Sequence, residues 1–234
     1  MFQLSVIVPV FNEEGTVLLA LNKLVREKDV FQIIIVDDGS TDRSSELIVS
    51  FLKSAFQKND ALAKKILLLR QKNQGKGSAI KTGLKRVTGN YVLIQDADCE
   101  YDPKDISRLV APIKKGKVHV VYGSRFKGIH LNILFWNRIA NSFLNFLVNI
   151  LYGTSLSDLE TCYKIIPTSL FRAMRLRSQG FDIEPEITCK LLKKRIPIFE
   201  VPISYMGRDF SEGKKITWRD GFSAVRVIVL ERLS

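Results

Sequence analysis

The sequence predicts a single α/β domain built on a mostly parallel sheet, and three observations carry that expectation. Short apolar runs, LSVIVPV, FQIIIVDD, KKILLLRQ and YVLIQDAD, alternate with stretches whose apolar residues recur at helical spacing. The runs are continuously apolar rather than alternating, as expected of strands covered on both faces. Acidic residues follow three of them directly, as Glu13 and Glu14, Asp37 and Asp38, and Asp96 and Asp98. The carboxyl ends of strands in open α/β sheets are where ligands bind.

Taken in order, Leu4 to Val10 reads as the first strand, FNEEG as a turn with Asn12 as a cap, and Glu14 to Arg26 as a helix. FQIIIVDDGSTD gives a second strand and a turn in which Ser40 or Thr41 can cap a helix through Leu47 and Phe51. KKILLLRQ is a third strand, GKGSAIKTGLKRV a helix, YVLIQDAD a fourth strand and VYGSRF a fifth. Leu131 to Leu151 is amphipathic: Phe135, Trp136, Ile139, Phe143, Phe146, Leu147 and Ile150 recur beside Asn132, Asn137, Arg138, Asn141, Asn145 and Asn149. It reads either as a helix lying in a membrane interface or as an ordinary packed helix. A helix is expected after Phe181, an edge strand near Ile198 to Ile203, where Pro197 and Pro202 disfavour a central position, and a second apolar periodicity from Trp218 to Leu233.

The chain has 234 residues, 46% hydrophobic and 26% charged, with a mean hydropathy of +0.04. That is an ordinary globular composition with no break that demands two domains. The net charge of +12 favours an anionic partner without choosing among nucleic acid, nucleotide and acidic lipid. A nucleic-acid module would leave the acidic strand ends unexplained, so no nucleic acid is expected. Cys99, Cys162 and Cys189 have no zinc spacing and cannot all pair with one another, which suits a reducing compartment. Met1 leads straight into the first strand with no signal-like core, and no run of about 18 apolar residues occurs. A cytoplasmic location without an ordinary transmembrane helix follows as the expectation.

The motifs narrow the chemistry. The first strand is followed by PVFNEEG rather than a glycine fingerprint, and Gln74-Gly75-Lys76-Gly77-Ser78 lacks the opening glycine of a Walker loop, so NAD and ATP chemistry lose support. Asp37-Asp38-Gly39-Ser40 reads as an Asx turn, as a ribose or base contact, or as one residue doing each. Asp96 and Asp98, two apart after a strand, suit Mg²⁺ or Mn²⁺ shared with two phosphate oxygens, and Glu100 is a third candidate ligand. Lys76, at a glycine-flanked helix start, and Arg125, after the fifth strand, suit phosphate.

The combination SVIVPVFNEE, IIIVDDGSTD, NQGKGSAIKTG, QDAD and GSR resembles the family 2 inverting glycosyltransferases over essentially the whole chain, in the branch of polyprenyl- and dolichyl-phosphate mannosyl- and glucosyltransferases. The resemblance implies one nucleotide-sugar-binding domain of the GT-A type, with a nucleotide-binding part of about residues 1–126. An acceptor and membrane-interface part of about 127–234 would carry amphipathic helices. It implies that Pro9, Glu13 and Asp38 contribute to the nucleotide pocket and that Asp96 and Asp98 bind metal and sugar diphosphate, with Glu100 completing the metal shell and Arg125 in the GSR segment. The Gln-x-x-Arg-Trp motif of processive members is absent.

The expected reaction is a metal-assisted, inverting transfer of a hexose from GDP-mannose or UDP-glucose to an isoprenoid lipid phosphate at an anionic membrane surface. The protein would sit peripherally on the cytoplasmic face, with room for a homo-oligomer or a membrane partner. Asp98, Arg125, Arg208 and Lys214 are the expected charge-handling residues. Asp158 is the natural base for a hydroxyl acceptor, but a phosphate acceptor is already anionic and reduces that residue to positioning. A non-processive transferase acting on a saccharide, protein or other hydroxyl acceptor is the alternative, with Asp158 or Glu160 as its base.

Overall fold

The computed structural model describes residues 1–58, 65–132, 135–208 and 218–234, the side chains of 56–58, 130, 135–137 and 218 excepted. Lys214, expected near the diphosphate, lies outside the described residues.

The strands are β1 (Leu4–Val10), β2 (Val30–Asp37), β3 (Ile66–Arg70), β4 (Tyr91–Ile94), β5 (Val121–Ser124), β6 (His130–Leu131), β7 (Lys164–Pro167), β8 (Phe199–Pro202) and β9 (Tyr205–Met206). The helices are α1 (Val17–Leu24), α2 (Ser44–Lys58), α3 (Lys76–Leu84), α4 (Ile106–Lys114), α5 (Phe135–Tyr152), α6 (Thr168–Ala173), α7 (Ile183–Lys193) and α8 (Trp218–Leu233), with a 3₁₀ turn at Pro103–Asp105.

A seven-stranded sheet has the order β3-β2-β1-β4-β7-β5-β8. Every pairing in it is parallel except the two made by β7. β6 and β9 form a separate two-stranded ribbon. The expected mostly parallel α/β sheet is therefore present, and β7 and β8, from the second half of the chain, complete it. The apolar strands are buried on both faces: Val6, Val8, Ile33 and Ile35 join one core, and Ile7, Ile34, Val36 and Ile94 the other. β8 lies at the sheet edge, where Pro202 is tolerated.

Some local expectations shift. Asn12 caps no helix; at φ 50° its amide spans to the next loop, accepting from the Thr41 backbone N–H at 2.8 Å. α2 begins at Ser44, whose N–H is accepted by Asp42 at 2.9 Å, so neither Ser40 nor Thr41 caps it. β4 stops at Ile94, so Asp96 and Asp98 stand in the turn beyond the sheet rather than on a continuing strand.

Beyond the sheet, α5 and α7 pack against α8, burying Leu144, Val148, Cys189, Ala224 and Ile228 between them. The inner face of α5 is mixed: Asn141 and Asn145 are buried on it beside Leu144 and Val148, while Ile139, Phe143, Phe146 and Ile150 face outward. Among the described residues no helix is long and apolar enough to cross a membrane. Cys99, Cys162 and Cys189 are free thiols.

Candidate active site

The carboxyl ends of β1, β2, β4 and β5 open into one cavity of about 1070 Å³ that continues into the groove between α5 and α8. Of the residues expected to bind donor or metal, Pro9, Glu13, Asp38, Lys76, Asp96, Asp98, Glu100, Arg125 and Arg208 all line it. Its far end is walled by Ala140, Phe143 and Leu144 of α5 and by Phe222, Ala224 and Val225 of α8.

At the end of β2 the two aspartates divide the work. Asp37 accepts from the Ser40 N–H, three residues on, at 3.0 Å and so braces the turn after β2. Asp38 holds the glycine loop instead: it accepts from the Gln71 side chain at 2.6 Å, from the Gln74 N–H at 3.0 Å and from the Gly75 N–H at 2.8 Å. Gly75 has φ 93°, and a Cβ there would stand 2.5 Å from the Gln179 carbonyl oxygen. Only glycine allows that loop to turn into α3 and deliver Lys76.

Lys76 reaches across the cavity floor to Asp96, with Nζ 2.7 Å from Oδ1, and its other neighbour is Glu184 at 3.4 Å. Glu184 in turn takes Lys164 at 2.6 Å. Burial opposes charge on Lys76, yet Asp96 and Glu184 hold its ammonium well above the usual range. Asp98 has the opposite problem. Burial and the neighbouring Asp96 and Glu100 carboxylates push its carboxyl up to about 7, against the pull of Arg208. Arg208 arrives from beyond β9. Its guanidinium bonds both Glu13 oxygens at 3.0 and 3.1 Å and lies 3.4 Å from Asp98.

Glu100 and Asp158 are each held by partners within the protein. Glu100 does not join Asp96 and Asp98 in a ready metal shell: its oxygens accept from the Tyr205 hydroxyl at 2.6 Å and the Arg208 N–H at 2.8 Å, holding the β9 segment. Among the described residues no group of three His, Cys, Asp or Glu side chains is arranged to hold a metal ion. Asp96 and Asp98 remain as hard oxygen donors facing a cavity, each already drawn to a cationic side chain, Lys76 or Arg208. That donor set fits Mg²⁺ or Mn²⁺ whose remaining positions come from a ligand's own oxygens.

Asp158 faces Arg125 rather than the cavity. It is fully buried, does not line the cavity, and chelates Arg125: Oδ2 accepts from Nε at 2.8 Å and from the Arg125 N–H at 2.9 Å, and Oδ1 accepts from NH2 at 2.7 Å. Burial opposes the Arg125 charge, but Asp158 keeps it well above the usual range. Asp158 is itself fixed by Glu200, which accepts its N–H at 3.2 Å and that of Ser157 at 2.9 Å. It positions Arg125.

Sequence reasoning missed Glu184 and Lys164 because their partners lie 108 and 20 residues away and no motif links them. It weighed Glu160 only as a base for hydroxyl acceptors. Glu160 lines the cavity beside Arg125 and Lys164, and burial pushes its carboxyl up to about 7.

Comparison with known proteins fits this geometry. The family model described as glycosyl transferase family 2 matches residues 5–175. The chain is 26% identical over 236 residues to a low-salt glycan biosynthesis hexosyltransferase of Haloferax volcanii, covering 97% of this chain and 53% of the relative. It is 29% identical to the dolichyl-phosphate beta-glucosyltransferase of Saccharomyces cerevisiae over 89% of this chain and 68% of that one. It is 28% identical to an undecaprenyl-phosphate 4-deoxy-4-formamido-L-arabinose transferase of Edwardsiella ictaluri over 90% of this chain and 62% of that one. The chain thus spans about half to two thirds of the length of these curated relatives. Among solved structures, glucosyl-3-phosphoglycerate synthase from Mycobacterium tuberculosis, in complex with Mn²⁺, uridine diphosphate and phosphoglyceric acid, superposes with a TM-score of 0.73. The two are 16% identical, over 99% of this chain and 78% of the synthase. At that identity the likeness establishes the fold.

Proposed function

This chain belongs to glycosyl transferase family 2, and from that premise we propose that it transfers a hexose, with inversion, from UDP-glucose or GDP-mannose to a polyprenyl or dolichyl phosphate at a membrane surface. The observation that carries the proposal is the continuity of one cavity. It runs from Asp38, Lys76, Asp96 and Asp98 at the strand ends, past Arg125, to the apolar groove of α5 and α8. A polar diphosphate and an isoprenoid tail need such opposite ends, with the reacting centre between them. The names of the yeast and Edwardsiella relatives, which specify dolichyl and undecaprenyl phosphate, support the acceptor class.

In this reading residues of the first part, about 1–126, bind the donor, and α5 and α8 of the second part receive the lipid. Asp96 and Asp98 would hold Mg²⁺ or Mn²⁺, which when bound supplies positive charge to the departing diphosphate. Lys76 and Arg208, now neutralising carboxylates, stand ready to turn to phosphate oxygens as the donor enters. Arg125, locked by Asp158, meets the acceptor phosphate as a fixed cation. The phosphate oxygen attacks the anomeric carbon as the bond to the nucleoside diphosphate breaks on the opposite face. An anionic nucleophile needs placement rather than a base, which agrees with the burial of Asp158. The apolar outer face of α5 would rest on the bilayer and keep the protein peripheral.

The test mixes the purified protein and Mn²⁺ with UDP-glucose or GDP-mannose, with and without a short polyprenyl phosphate. Glycosyl lipid and nucleoside diphosphate are then followed by mass spectrometry. Lipid-dependent product from one donor, lost in Asp98→Ala, is expected. Transfer to a free saccharide with no transfer to lipid phosphate would overturn the proposal.

A further inference from the structure

Three asparagines of α5, Asn141, Asn145 and Asn149, fall four residues apart on its inner face. The last two serve as artificial peptide groups for the loop that follows the helix. Asn145 donates to the Ser157 carbonyl at 2.8 Å and accepts from the Leu159 N–H at 2.7 Å. Asn149 donates to the Leu156 carbonyl and accepts from its N–H, each at 2.9 Å. Asn141, one turn earlier, is 6% exposed and lines the cavity, and among the described residues neither its Oδ1 nor its Nδ2 has a partner. The next residue of the same loop, Glu160, also lines the cavity with its Oε1 buried and without a partner. Buried polar atoms are nearly always paired, so two such groups lining one cavity mark a place where something polar binds.

We propose that Asn141 and Glu160 form the wall that reads hydroxyl groups of the transferred sugar and so helps to set which sugar is accepted. This rests on the glycosyl-transfer reading above. The chemistry favours a neutral, hydroxyl-bearing group over a phosphate. An amide both donates and accepts, as a hydroxyl does, and a carboxyl beside it repels phosphate when ionised. With its carboxyl pushed up to about 7, Glu160 can also donate from its protonated form. The same cavity is lined by the charged Lys76, Asp96 and Glu184 and by the apolar Phe143 and Leu144. The sugar must lie between its diphosphate and the incoming lipid phosphate.

Calorimetry in Mn²⁺ compares UDP with UDP-glucose and GDP with GDP-mannose on the unaltered protein, Asn141→Ala and Glu160→Gln. In each variant the affinity for the nucleoside diphosphate stays unchanged while that for the preferred sugar nucleotide falls about tenfold, the worth of one hydrogen bond. Asn141→Leu is the fold control. It removes two unpartnered polar atoms, so Tm should hold or rise while sugar affinity falls. An unchanged ratio of sugar nucleotide to nucleoside diphosphate affinity in every variant overturns the inference alone. A rise confined to the KM for polyprenyl phosphate also overturns it, since the wall would then serve the acceptor. If the unaltered protein binds none of the four nucleotides, the glycosyl-transfer reading falls and takes this one with it.

Discussion

At the scale of single residues, most candidate ligands of the cavity are already engaged with one another. Asp96 is held by Lys76, Glu13 by Arg208, and Asp158 by Arg125. On the proposed function, a doubly charged donor would bind here by exchange of these internal partners. Asp158 differs from the others because solvent and ligand cannot reach it. Asp158→Asn should therefore lower stability by about 3 kcal/mol, since it leaves a buried guanidinium short of its partner. For a chain of this size that is roughly 6 to 12 °C in Tm. Thermal unfolding and the pH profile of kcat check this together. A general base would instead show unchanged Tm and an altered acidic limb. The aspartates of the QDAD segment were legible in the sequence because their spacing is local. The Glu184 to Lys76 contact was not, because nothing in either neighbourhood encodes a partner brought close only by folding.

At the scale of elements, α5 explains why periodicity alone left two readings open. The sequence separates an apolar stripe from a polar one, but not which is turned inward. In the fold Asn145 and Asn149 clamp the 156–159 loop, and Ile139, Phe143, Phe146 and Ile150 are left outside, with Phe146 62% exposed. Phe222, Leu230 and Leu233 of α8 are exposed as well. Because these side chains contribute little to the core, the double change Phe143→Ser and Phe146→Ser should leave Tm within a few degrees. It should weaken binding to phosphatidylglycerol-containing vesicles at least severalfold. Cosedimentation at low and high salt checks it. Binding of the unaltered protein should fall with salt, as expected for a chain of net charge +12 on an anionic surface. Equal binding of variant and unaltered protein would remove α5 from the membrane interface.

At the scale of the whole molecule, the cavity burdens the fold with carboxyls that burial makes hard to ionise. Glu160, ordinarily near 4.5, and Asp98, ordinarily near 3.8, are both pushed up to about 7. Between those ordinary values and about 7 the folded protein keeps protons that the unfolded chain releases. Stability from these groups is therefore fully present at the low end of that window and lost as pH rises through it. Melting of the ligand-free protein between pH 5 and pH 8 should show Tm falling with pH, less steeply in Glu160→Gln; an equal slope in the variant would remove Glu160 from the account. The α/β class, the parallel core strands and the acidic strand ends were determined by the sequence itself, because apolar runs and turn residues act over a few neighbours. Even the limits of α8, at Trp218 and Leu233, could be read from periodicity. Only the tertiary structure decided that β7 runs against its neighbours, that Glu100 serves β9, that Asp158 is sealed behind Arg125, and that Asn141 faces a cavity without a partner. Each of these depends on which distant segments meet, and a polar side chain in sequence looks the same whether folding gives it a partner or leaves it waiting for one.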